Sequence, residues 1–198
     1  MKNFIFVDFL LPFRQISQKG MVAIMIVQVK TQQQLDTFNE ILGENWRKQG
    51  YFEDPSKFEG DNHLFLLEKD TKFVGTLELK RPKKETLEFF ELPGGNMDQY
   101  KILEVDKLSI QEEERGLRGM MELFEAGVTV GKELDVDYYV QFMRKSFINI
   151  LKRRYGFEFH ASSKVLIENK NEFIPVLVDV RDGFKKFEKL HSNVEKAQ

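Results

Sequence analysis

The sequence contains no cysteine. That excludes disulfide bridges, cysteine nucleophiles and thiolate metal sites. Histidine is nearly as scarce: His63, His160 and His191 are the whole supply, so a histidine-rich zinc site is not expected and no metal is assigned. Charge of either sign is not in excess. A net charge of −2 gives the protein no general attraction for nucleic acid or an anionic membrane. Long hydrophobic runs are missing too. Asn3 to Phe13 is apolar except for Asp8, is too short to span a bilayer, and is not followed by a small-residue cleavage site. No stable membrane insertion is therefore expected, and the expected location is cytoplasmic. Repeats, low-complexity tracts and an internal linker are all lacking.

What remains is enough for one domain with a full core at 198 residues. The expected division is an extension or strap over residues 1–20, or a start of translation at Met21 or Met25, followed by a single domain over 21–198. The 19 phenylalanines point to an aromatic core or to an apolar tunnel. Val22 to Val29 reads as a buried strand. Thr31 to Gln34 has the form of a capping box, and Leu35, Phe38, Leu42 and Trp46 continue at helical spacing, which predicts a helix over Gln32 to Lys48. Leu64 to Glu68 and Phe73 to Lys80 read as a hairpin, with Phe73, Gly75, Leu77 and Leu79 on one face and Val74, Thr76, Glu78 and Lys80 on the other. Leu87 to Leu92 is apolar enough for a short strand or flap. Phe157 to Glu168 and Phe173 to Val180 form a last strand pair, in which Pro175 belongs at an edge or a bulge. Arg181 to Leu190 is a terminal helix.

The informative stretch runs from Lys101 to His160. A strand carrying Glu104, Asp106 and Lys107 leads into a charged loop, Gln111 to Gly119. A helix follows from about Gly119 with Met120, Leu123, Phe124, Gly127 and Val128 on one face. Asp137 to Phe142 is a second strand. A second helix places Met143, Phe147, Ile150 and Leu151 together and stops at Tyr155-Gly156-Phe157. A strand, a turn exposing backbone N–H groups and a helix together suit an anion such as a pyrophosphate.

This order, with LEVDKLSI followed by MRKSFINILKRRYGFEF, resembles the GNAT acyltransferase superfamily, on the side of the acyl-homoserine-lactone and long-chain N-acyl amino acid synthases. The resemblance implies a mixed αβ fold with a mostly antiparallel sheet, splayed between its two central strands and flanked by helices. It implies an N-acyltransferase moving an acyl group from acyl-CoA, or from acyl-phosphopantetheine on an acyl-carrier protein, to a small-molecule amine. The alternative is a catalytically inactive module that binds an acyl carrier or ligand for regulation. In the superfamily the phosphate loop reads Gln/Arg-x-x-Gly-x-Gly/Ala, against Glu113-Glu114-Arg115-Gly116-Leu117-Arg118-Gly119 here, and Lys152 stands where a general-acid tyrosine is frequent.

Glu104 is the candidate base, because aminolysis of a thioester needs something to take the proton of the attacking amine. It could instead only pair with Lys107 or a base on a neighbouring strand. Leu108, Ile110, Arg115, Gly116, Leu117, Arg118 and Gly119 are the candidates for holding the donor: glycines let the backbone close on an anion and arginines bind phosphate bidentately. The bland reading of that loop is a solvated turn. Asp61 lies where the branch carries an acidic cluster for the acceptor, and His63 is a possible base near neutral pH. Glu78 stands where homoserine-lactone synthases carry an arginine, which argues against a homoserine-type acceptor. Lys152, Arg153 and Arg154 could meet a phosphate or an acidic carrier, or simply suit the helix dipole.

Overall fold

The hydroxyl of Thr31 accepts a hydrogen bond from the Gln34 backbone at 3.2 Å, and the Gln34 side chain accepts one from the Thr31 N–H at 3.1 Å. This reciprocal cap opens helix α1, Gln32–Gln49, which ends at Gly50 in the left-handed conformation (φ 74°). Leu35, Phe38, Ile41 and Leu42 are its buried stripe. The computed structural model describes residues 25–51, 54–91, 99–168 and 171–196. The segment 1–20 and the part of the polar connection from Leu92 to Asp98 lie outside the described residues.

The elements in chain order are β1 Met25–Gln28, α1, β2 His63–Lys69, β3 Lys72–Lys80, α2 Lys84–Leu87, β4 Ile102–Ile110, α3 Leu117–Glu133, β5 Tyr138–Arg144, α4 Lys145–Tyr155, β6 His160–Ala161, β7 Leu166–Glu168, β8 Asn171–Asp179 and α5 Val180–Lys196. They form one eight-stranded sheet in the order β1-β2-β3-β4-β5-β8, with β6 and β7 both paired to the far side of β8. Every pairing is antiparallel except β4 with β5. That parallel step needs a crossover, and α3 supplies it.

The β2–β3 hairpin turns on Asp70 and Thr71, both at positive φ (50° and 65°), the backbone that a two-residue turn requires. The main core lies between the sheet and α3 and α5. It includes Phe65, Leu77, Leu79, Leu103, Tyr139 and Val178, with Ile148 and Leu151 of α4. Phe124, Phe157, Phe159 and Phe187 pack together within it at centroid distances of 5.2–6.3 Å, edge-on or tilted except for the stacked pair Phe157 and Phe159. The other face is covered by α1 through Phe38, Leu42, Leu64 and Leu66. A smaller cluster, Phe90, Val140 and Leu177 with Ile102 and Phe142, continues that face over β5 and β8.

Several sequence expectations need correction. Phe73 does not join Leu77 and Leu79. The register of β3 on β2 slips beside Leu67/Glu68, so Val74 enters the main core while Phe73 packs on the α1 side. One extra residue in one strand reverses the alternation beyond it. Lys84–Leu87 is a single helical turn and Glu88 to Glu91 is not strand. Met143 and Arg144 end β5 rather than open α4, α3 starts at Leu117, and α5 runs to Lys196. The strand expected from Phe157 to Glu168 is broken into β6 and β7. The break lies opposite Pro175, whose carbonyl accepts from Ser162 at 2.9 Å. Its proline nitrogen points the same way and has no N–H to offer, so no continuous ladder forms there.

Candidate active site

β4 and β5 pair at only three positions, Ile102 with Tyr138, Leu103 with Tyr139 and Glu104 with Val140. Beyond Glu104 they part. The cause is visible on the other edge of β4. Between the pairs Thr76–Ser109 and Glu78–Asp106, β3 has one residue, Leu77, while β4 has two, Lys107 and Leu108. Lys107 takes up the extra residue at φ 47°. Its carbonyl accepts from the Thr76 hydroxyl at 2.9 Å, which fixes the bulge.

The bulge decides which side chains share a face. Asp106 and Lys107, neighbours in sequence, both point to the α1 side. Asp106 pairs with Lys80, and the Lys107 ammonium lies 3.4 Å from both Glu78 and Asp54. Glu78 is buried and also accepts from the Ser56 hydroxyl (2.5 Å) and the Asn62 amide (2.8 Å). Ser56 is in turn held by Asn39 of α1 through its N–H (2.7 Å) and carbonyl (3.0 Å). Glu104, opposite Lys80 in the register, faces the same way. Among the described residues its carboxylate has no hydrogen bond or ion pair. Burial raises its pKa above the ordinary glutamate value, and nearby Lys80 only partly opposes this. The Glu104–Lys107 pair that was the alternative to a catalytic role is not formed, because Glu78 takes the lysine.

On the opposite face the split is apolar. Leu77, Val105, Leu108, Leu123, Phe124, Gly127, Val128 and Val178, with Tyr139 and Gln141, line a cavity of about 20 Å³ between β4, β5 and α3. Leu108 therefore lies in the split, and buried Ile110 closes the end of β4.

After β4 a 3-10 turn, Glu112–Glu114, leads to Gly116, the cap of α3 at φ 139°. That conformation favours glycine. A Cβ on Gly119 would stand 2.0 Å from the Glu114 carbonyl oxygen, so only glycine fits this tight entry. Glu114 is paired with Lys69, and Glu112 lies 3.8 Å from Lys48, so these carboxylates turn toward the hairpin and α1. Arg115 donates to the Ile110 carbonyl (3.2 Å) and to the Asn45 side-chain oxygen (3.1 Å). The side chains of Leu117, Arg118 and Arg154 lie outside the described residues. From the far strand Arg144 donates to Gln49 (3.2 Å) and Tyr51 (3.1 Å). The C-terminal end of α1 thus straddles the open end of the split, held by one arginine from each side.

Asp61 and His63 are not brought to Glu104. His63 pairs with Leu79, and so faces α3, while Asp61 is exposed. Burial and Lys101 lower the His63 pKa, with Asp61 opposing. Lys152 and Arg153 are exposed on the last turns of α4, and Lys152 lines an open surface pocket with Gly156 and His160.

No protein-family model matches the sequence, and no curated protein matches it. Solved structures do. FeeM, an N-acyl amino acid synthase from uncultured soil microbes, is similar with a TM-score of 0.62 at 16% identity, over 82% of this chain and 94% of its own. The CoA-dependent acyl-homoserine lactone synthase BjaI, with SAM and isopentyl-CoA, is similar with a TM-score of 0.65 at 12% identity, over 88% and 90%. An acyl-CoA N-acyltransferase from Pseudomonas aeruginosa is similar with a TM-score of 0.58 at 16% identity, over 80% and 99%. The chain has the GNAT acyltransferase fold.

Within this GNAT sheet the residues that sequence reasoning left out of the site are Glu78 as a buried anchor, Lys80, Lys107, Asn45 and Ser56. Asn45 and Lys107 carried a signal, as polar residues where the helix stripe and the strand alternation call for apolar ones, whereas Ser56 in a loop and Glu78 and Lys80 on the polar face of β3 carried none. Asn45 stands in the α1 stripe and binds Ser109 at 2.8 Å, and Lys107 interrupts the apolar alternation of β4. Buried polar groups of this kind persist only when partnered. Among the described residues no helix is long and apolar enough to cross a membrane.

Proposed function

We propose that this protein is an N-acyltransferase that moves an acyl group from an acyl thioester, acyl-CoA or acyl-phosphopantetheine, to a small-molecule amine. The observation that carries this reading is the split beside Glu104, polar on the α1 face and apolar on the α3 face. A thioester lying in it has its acyl chain among Leu77, Val105, Leu108 and Phe124 and its carbonyl carbon open to attack from the Glu104 side.

The amine nitrogen attacks that carbon and forms a tetrahedral intermediate. Backbone N–H groups released where β4 and β5 part stabilise its oxyanion. Glu104, desolvated and without a partner among the described residues, takes the amine proton directly or through one water. Collapse breaks the C–S bond and releases an amide and the thiolate, which becomes the thiol by taking up the proton from Glu104 or from solvent. Arg115, Arg118 and the first amides of α3, with Gly116 allowing close approach and Gly119 letting the preceding turn fold against the helix, hold the donor phosphates. The similarity to BjaI, described with isopentyl-CoA, supports a CoA donor. Asp61 remains a candidate for the outer acceptor site, and His63 for a structural role behind it.

The test is a series of acyl-CoAs of increasing length, with binding read by thermal shift. Transfer to amino acids, amino lactones and polyamines is read by thiol release and mass detection of the amide. Tight donor binding with no thiol release for any acceptor would favour the regulatory module. No binding of any acyl-CoA or acyl-phosphopantetheine would overturn both readings.

A further inference from the structure

α3 carries glycines at 119, 127 and 131, and two of them are forced by their neighbours. A Cβ would stand 2.0 Å from the Glu114 carbonyl oxygen at Gly119, and 2.5 Å from the Tyr139 hydroxyl at Gly131. Gly127 has no such reason. A Cβ there would meet nothing within 4 Å, and a glycine inside a helix weakens it relative to alanine. The chain carries that weakness at the one α3 glycine that opens onto the cavity in the split.

Tyr139 keeps this space from closing. Its ring is 3% exposed and stands against Gly131, and its hydroxyl donates to the Gly127 carbonyl at 2.9 Å. The distance between α3 and β5 is thus set by a rigid ring, and the helix cannot settle onto the void. The cavity of about 20 Å³ has room for about one water. Gly127 itself is only half-buried, so α3 is partly open to solvent at this position.

We propose that Gly127 determines the length of the acyl group this site takes. With no side chain at that position, an unbranched chain longer than acetyl passes from the split, between Leu108 and Tyr139, across α3 at Gly127. Any larger residue there shortens the passage. This inference rests on the acyltransferase reading and adds the determinant of its donor.

The experiment compares the full chain with Gly127→Ala and Gly127→Val, using calorimetry with acetyl-CoA, octanoyl-CoA and dodecanoyl-CoA and melting of the free proteins. Gly127→Ala should raise the melting temperature of the free protein by about 2–4 °C. It should lower the octanoyl-to-acetyl affinity ratio about tenfold, equivalent to losing the burial of roughly two methylenes. Gly127→Val should lower the ratio further. An unchanged ratio in both variants overturns the inference alone, as does a wild type that binds acetyl-CoA as tightly as octanoyl-CoA. Wild type that binds none of the acyl-CoAs, nor the matching acyl-phosphopantetheines, overturns it together with the acyltransferase reading.

Discussion

The Lys107 ammonium and the Glu78 carboxylate stand 3.4 Å apart between adjacent strands, the two side chains 7% and 3% exposed. Two charges so far from water are stable only while both are present and the remaining lone pairs are used. Here Ser56 and Asn62 use them. The pair therefore ties the loop between α1 and β2 to the bulge that opens the split.

Removing one member should be costly. Glu78→Ala leaves Lys107 with only exposed Asp54, and an expected loss of about 3 kcal/mol or more follows from an uncompensated buried charge. Replacing both, as Glu78→Ala with Lys107→Met, should restore much of it. Urea unfolding midpoints at unchanged slope measure the difference. Additive losses in the double variant would mean that the two side chains are not coupled.

Glu104→Gln should lower turnover by about 10²–10⁴-fold with donor affinity intact. Because burial raises the folded pKa of Glu104, its ionisation costs stability as pH rises from the unfolded value through the folded one. The glutamine should therefore melt higher than wild type at neutral pH. The wild-type rate should rise with pH through that carboxylate pKa, and the variant should lose this step. A variant that melts lower, with affinity and rate falling together, would make Glu104 structural.

Arg115 is held by neutral acceptors, and no carboxylate among the described residues pairs with it. Its charge is thus available to a phosphate. Arg115→Ala should weaken acyl-CoA binding about tenfold or more, in line with roughly 1.5–3 kcal/mol for a charge-assisted contact. Acyl-pantetheine, which lacks the pyrophosphate, should bind the variant and the wild type alike. Equal acyl-CoA affinity in calorimetry would reduce the loop to a solvated turn.

His63 titrates below its ordinary value because of burial and Lys101. The folded state then prefers the neutral ring. Stability should be full above the unfolded pKa of about 6.5 and fall as pH drops through the window below it. His63→Asn should flatten that acid limb of the melting profile. Since His63 faces α3 and Glu104 faces α1, the variant should leave the pH dependence of turnover in place. Loss of the Glu104 step in His63→Asn would show the two to be linked.

The sequence by itself determined what depends on neighbours in the chain. Thr31 and Gln34 cap a helix by contacts three residues apart, Asp70 and Thr71 turn a hairpin, and the order strand, glycine loop, helix between Ile102 and Glu133 was legible from periodicity. The tertiary structure decided which face each side chain takes. Alternation along a strand holds only while every residue is paired, and one bulged residue reverses it. Read by alternation, Lys107 belongs with Leu103 and Val105 in the core. The extra residue opposite Leu77 turns it to Glu78 instead, leaves Glu104 without a partner among the described residues, and lets β4 swing away from β5. Where a bulge forms is set by the fit of two strands about thirty residues apart, Leu77 against Lys107 and Leu108, and no local propensity encodes that fit.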